Sequence, residues 1–185
     1  MVSTQKRSGP SLGFRFFLLS ALTLFGSCLA PLTSYAQDDP DPIPPPSQVI
    51  SREERERLDS RSGAKDRTKL ALELLNSHLA ASEQMRGSEN FEGAYRELGT
   101  VHGLLDNAIN YLIDANRRGY KVLDEFKRMD IGLRALLPRI ESLRRDLPLI
   151  YDAYVRALLQ HVRDARAKAV EPFFDDSIVT DHPAL

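Results

Sequence analysis

The sequence predicts an all-α protein: an antiparallel up-down four-helix bundle with a short polar leading helix, following a signal peptide and a proline-rich spacer. Three observations carry this. Val122, Phe126, Met129, Leu133, Leu136, Ile140 and Leu143 recur at alternating steps of four and three, which lines one face of a helix with apolar side chains. Phe91, Leu98, Leu105 and Leu112 form a row spaced by seven, and Tyr95, His102, Ile109 and Asn116 form a parallel one; two such rows make the seam of a bundle. Between Gly63 and Val170 no stretch alternates apolar and polar residues with the period of two that a half-buried strand requires.

Residues 1–36 read as a signal peptide. Lys6, Arg7 and Arg15 are the only charges there, and they precede an apolar run from Phe16 to Ala30. That run is shorter than the roughly 20 residues a membrane-spanning helix needs. Ser34-Tyr35-Ala36 offers small residues at the two positions a signal peptidase reads, so cleavage is expected before Gln37. Phe25-Gly26-Ser27-Cys28 resembles a bacterial lipobox, which gives a second exit at Cys28 with lipidation of that cysteine. Cys28 is the chain's single cysteine, so cleavage at residue 36 removes any route to a disulfide, a thiol nucleophile or a thiolate metal site. Residues 37–50, with Asp38, Asp39, Asp41 and five prolines, are expected to form an extended spacer, because proline fixes φ and lacks a backbone donor.

The bundle domain is expected over residues 51–170. Ser51 and Glu54 have capping-box spacing and open a polar helix over about 52–61, in which Leu58 is the main apolar residue, so it reads as exposed or loosely docked. The second helix, about 64–85, places Leu72, Leu75 and Leu79 on one face with Leu70 and Leu74 beside them, and Gly87 ends it. Ser88 or Asn90 caps a third helix that reaches Arg117, with Gly119 as its stop; Gly93, Gly99 and Gly103 each weaken it by up to about 1 kcal/mol against alanine. The fourth helix keeps its register across Pro138, which reads as a kink. Two readings of 121–169 stand open: a stop at Arg144-Arg145-Asp146 with Asp146 capping a fifth helix that carries Pro148 in its first turn, or one long helix kinked at both prolines. Tyr151, Val155, Leu158, Val162, Ala165 and Ala169 line the last segment. In the tail, 171–185, Phe173 and Phe174 are expected to lie against the bundle.

Charge excludes a dedicated nucleic-acid binder. The chain carries 25 basic and 26 acidic residues. Loss of residues 1–36 leaves 22 basic against 26 acidic groups, and the central region is only mildly basic. Motifs of catalysis are equally thin. The Glu-x-x-His spacing of di-metal bundles, the His-x-x-x-His and zincin patterns, the Gly-x-Ser-x-Gly elbow and the phosphate loop do not occur. His102 with Met129 could be paired as haem ligands, but a seam histidine reads more simply as a hydrogen-bonded core residue. Arg156 to His161 has the R-x(4)-H spacing of a class of all-helical ribonucleases. Arg96 to His102 is one residue longer. In a chain this rich in arginine such hits arise at about chance frequency. Neither a cofactor nor a metal is therefore expected, and His78 and His161 read as seam-edge residues.

The remaining signal is basic. Arg117, Arg118, Arg134, Arg144, Arg145, Arg156 and Arg163 crowd the second half, many with an acid at helical spacing. They read as a salt-laced helix face, or as a surface for anions or a partner. The expected function is that of a non-enzymatic exported helical protein of a bacterial envelope, periplasmic, secreted or lipid-anchored. It would pair with an unknown envelope protein or with itself, bind no nucleic acid, and touch the membrane only through a lipidated Cys28. The rival expectation is a helical bundle that holds a lipid or an apolar small ligand.

Overall fold

The computed structural model describes residues 43–175. The signal-like segment with Cys28, spacer residues 37–42 and tail residues 176–185 lie outside the described residues. Those described form helices joined by short loops, with no strand among them, and no helix among them is long and apolar enough to cross a membrane. In order the helices are α1 (Arg52–Asp59), α2 (Ala64–Gly87), α3 (Phe91–Arg117), α4 (Leu123–Asp146), a 3-10 turn (Leu149–Tyr151), α5 (Asp152–Val170) and α6 (Pro172–Asp175).

All seven positions of the alternating run from Val122 to Leu143 are buried, and α4 continues through Pro138 as its register requires. In α3 the first row holds, with Leu98, Leu105 and Leu112 buried and Phe91 packed on the core. The second row holds through Ile109 but fails at Asn116, which is exposed because it stands one residue short of the helix end. The chain does stop before Pro148: Leu147 is extended, with ψ 149°, and no single helix spans 121–169. Asp146 caps nothing; it ends α4 and pairs with Arg86 at 3.4 Å. Between α2 and α3 the left-handed residue is Glu89, φ 60°, and not Gly87. Asn90 is the cap of α3, its Oδ1 accepting from the Gly93 amide at 3.0 Å.

Successive long helices run antiparallel, yet they do not neighbour one another in simple order. α2 pairs with α3 and α4 with α5, each as a hairpin. The hairpins then meet through α2 against α4 and α3 against α5. Both of these contacts are between parallel helices: Leu72 faces Gly132 and Arg86 faces Asp146, while Tyr95 meets Tyr151 and Asp106 meets His161. The link 118–122 thus crosses a diagonal of the bundle, helped by Gly119 at φ 81°, a conformation glycine adopts without strain.

Three segments sit differently from their sequence reading. α1 is docked: Leu58 is 1% exposed. Arg67 donates to the Leu58 carbonyl at 2.9 Å, to Asp59 at 2.8 Å and to Asn107 at 3.2 Å, and its guanidinium stacks on Tyr111. Residues 43–50 are extended, as their prolines dictate, but they form no free tether. They lie along α3 with Ile50 buried and Ile43 packed on the core, and Tyr95 donates to the Pro44 carbonyl at 3.3 Å. Gly99 and Gly103, one turn apart, form the track for this arm. A Cβ at Gly99 would stand 2.6 Å from the Ser47 oxygen, and one at Gly103 2.5 Å from the Gln48 oxygen. In the tail, Phe173 is 36% and Phe174 64% exposed, so neither ring is buried.

Candidate functional site

Two histidine clusters flank α3. The first is a clamp. Glu54 closes the capping box of α1 with one carboxylate oxygen, accepting from the Ser51 amide at 3.1 Å. Its other oxygen lies 2.6 Å from His78 Nε2 on α2, and His78 Nδ1 lies 2.6 Å from Glu97 on α3. Carboxylates only accept, so both ring nitrogens act as donors and the ring is an imidazolium. Burial lowers the affinity of His78 for its proton, but the hydrogen bonds and charges of Glu54 and Glu97 outweigh burial and raise its pKa above the ordinary 6.5. Glu54 is held below the ordinary carboxylate value: burial pushes it up, and the Ser51 and His78 hydrogen bonds overcome that.

The clamp ties three helices by one proton, which gives a pH dependence of definite sign. A raised folded pKa stabilises fully below the unfolded value, 6.5, and the contribution is lost as pH rises through the folded value. Thermal melts taken from about pH 6 to about pH 9 are expected to fall with rising pH. His78→Gln should flatten the slope, and an unchanged slope in that variant would rule out the clamp.

The second cluster lies where α3 and α5 run parallel. His102 and Asp106 stand one turn apart on α3, and His161 faces them from α5. His161 Nε2 is 2.7 Å from Asp106 Oδ1, His102 Nε2 is 3.9 Å from Asp106 Oδ2, and the two imidazole centroids are 4.2 Å apart. On its far side His102 Nδ1 meets Tyr154 Oη at 3.2 Å and Gln48 Nε2 of the extended arm at 3.1 Å. With the Gln48 amide nitrogen facing the ring and donating, Nδ1 accepts, which corresponds to the tautomer protonated at Nε2. Burial, with the neighbouring His161, holds His102 below its ordinary pKa against the pull of Asp106. Burial likewise raises the Tyr154 phenol, keeping it a neutral hydroxyl. Tyr154 packs edge-on to Tyr95 at 5.2 Å, and Tyr95 packs on Tyr151 at 4.6 Å. A run of three packed tyrosines thus holds Tyr154, one of the two outer partners of His102.

The sequence reading did not assemble this group. His102 and Asp106 were four apart, the spacing that puts two side chains on one helix face, and that was the signal to follow. The third member could not be placed, because only the parallel α3–α5 contact brings His161 there.

The arginines singled out in the sequence are for the most part paired. Arg134 reaches Asp130 at 3.1 Å, Arg144 binds both Glu141 and Asp152 at 2.9 and 2.6 Å, Arg145 lies 3.5 Å from Glu141, Arg156 bonds Asp152, and Arg117 lies 3.8 Å from Asp114. Among the described residues Arg118 and Arg163 make no ion pair. The seven are spread over α3, α4 and α5 and the ends of those helices. Arg139 on α4 makes a contact between helices: it grips Glu83 on α2 with two bonds, 2.8 and 2.7 Å, and reaches Asn76 at 3.0 Å. Set against known proteins, the chain matches no family model, no curated protein and no solved structure.

Proposed function

We propose that the chain is a non-enzymatic, exported helical protein of the bacterial envelope that works by docking its bundle onto another envelope protein. One observation carries the reading. At the end of the bundle where α3 passes to α4 and α5 passes to α6, large aromatic side chains face solvent: Tyr120 is 63% exposed and Phe173 is also exposed. Tyr120 lines a depression there with Asn116, Gly119, residues 121–124 and Pro172, the residue before Phe173. A rigid end face with exposed aromatic anchors beside a concavity is the form in which a few residues supply most of the binding energy. The fully packed seam behind it supplies the rigidity.

A photo-crosslinking side chain placed at Tyr120 in the native envelope is expected to capture one discrete partner, a second copy of the chain included. The same group at Ser77, exposed on α2, should not. Capture at both sites alike, or at neither, would overturn the proposal. Tyr120→Ser with Phe173→Ser should abolish co-purification of that partner while shifting stability by no more than about 0.5 kcal/mol.

A further inference from the structure

We propose that His102, Asp106 and His161 form a binding site for a divalent transition-metal ion of the zinc and copper class. Two imidazole nitrogens and a carboxylate oxygen converge between α3 and α5, and the three donor atoms lie within 4.8 Å of one another. An ion with bonds of about 2.0–2.1 Å to nitrogen and oxygen needs donors roughly 3.3 Å apart in tetrahedral geometry. The His161–Asp106 contact at 2.7 Å therefore opens slightly, and the 3.9 Å gap from His102 closes slightly. Rotation of the Asp106 carboxylate, which is 43% exposed at its side chain, and of the two imidazoles, whose ligand nitrogens already lie within 4.8 Å, brings all three edges toward that spacing.

A plain hydrogen-bonded network explains the cluster less well. Among the described residues nothing hydrogen-bonds His102 Nε2; it points at Asp106 from beyond hydrogen-bond range. Its other nitrogen is held twice, by Tyr154 and Gln48. That is the arrangement of a metal-ligating histidine, with one nitrogen aimed inward and the other oriented by an outer partner. Binding at Nε2 moves the ring proton to Nδ1. Tyr154 Oη accepts as readily as it donates, and the Gln48 amide turned over offers its oxygen, so both outer contacts survive the change. The donor set decides the ion. Imidazole and carboxylate together favour zinc, copper, nickel and cobalt, whereas calcium and magnesium want all-oxygen shells. Three protein ligands at a half-exposed site leave a position open to solvent or to an exogenous ligand.

Co2+ serves as the spectroscopic probe, added alone to the full protein purified as the cell matures it. One equivalent is expected to produce the visible absorption of a low-coordinate cobalt centre, displaced by Zn2+ and unaffected by Ca2+. His161→Ala and, separately, Asp106→Asn should weaken Co2+ binding by at least about 100-fold. Tyr154→Phe should weaken it by roughly tenfold, the scale of an outer partner. His182→Ala in the tail and His78→Gln in the clamp should leave the titration unchanged. Asp106→Asn keeps the shape of an exposed side chain, so retention of its melting temperature separates lost ligation from lost fold. Absence of the cobalt spectrum at one equivalent would refute the site. So would a spectrum that persists in both the His161 and the Asp106 variants.

Discussion

Replacing Phe126 by alanine is expected to lower the unfolding free energy by about 3–5 kcal/mol, the range for emptying a fully buried aromatic position. Phe126 is 0% exposed and is the largest of the fully buried side chains. It stands on α4, the helix that touches both its hairpin partner α5 and, across the bundle, α2. A domain of this size has a total stability of about 5–15 kcal/mol, so the change removes a large share of it and lowers the melting temperature by about 9–20 °C at about 3–4 °C per kcal/mol. Ile131, five residues on in the same helix, is 58% exposed. Ile131→Ala should change stability by no more than about 0.5 kcal/mol. Helical signal followed by circular dichroism on heating measures both. Equal losses at the two positions would mean that α4 presents a different face to the core.

The double substitution Gly99→Ala with Gly103→Ala should strip the extended arm from α3 without unfolding the bundle. The new methyl groups would meet backbone oxygens of Ser47 and Gln48 at 2.6 and 2.5 Å, and backbone cannot swing aside as a side chain can. The helix itself improves by about 1 kcal/mol per site. Against that stands the burial of Ile50, about 1.5–3 kcal/mol, with the Tyr95–Pro44 and Gln48–His102 contacts. The opposing terms nearly cancel in the melting temperature, while the arm passes from ordered to open. Cleavage by a broad-specificity protease between Gln48 and Ser51 should rise by about tenfold or more, since such cutting reports local opening. Unchanged cleavage would show that the arm tolerates the methyl groups and that the glycines are not its track.

These cases also mark what the sequence could and could not disclose. The α4 stripe was legible to the residue because an alternation of four and three is produced by one helix packed on one side. The rows in α3 were legible for the same reason until Asn116, where the helix has nearly run out of core. The docking of α1 was hidden because few side chains do it: Leu58 fills the core, Glu54 both caps its helix and grips His78, and Arg67 of α2 holds the Leu58 carbonyl and Asp59. Prolines told that 43–50 would be extended but not against what. The answer lay in Gly99 and Gly103, which sequence reasoning could weigh only as flaws in a helix. The order of helices around the bundle was beyond reach, because a hydrophobic stripe states that a helix has a partner and not which one. With that order went the meeting of His161 with His102 and Asp106.

The ring order bears on the distribution of arginine. In a bundle whose neighbours all run oppositely, the amide-rich end of each helix adjoins carbonyl-rich ends and the macrodipoles compensate one another. Here α2 and α4 point the same way side by side, as do α3 and α5, so like ends meet and that compensation is halved. Counter-charge has to come from side chains. It does so at every terminus: Asp66, Asp124 and Glu125 in the first turns of α2 and α4, Glu92 and Asp152 in those of α3 and α5, Arg86, Arg144 and Arg145 where α2 and α4 end, and Arg117 and Lys168 where α3 and α5 end. Each such placement contributes about 0.3–1 kcal/mol at an exposed end. Arg117, Arg144 and Arg145, three of the seven arginines that the sequence singles out, thus stand where two hairpins laid parallel need positive charge.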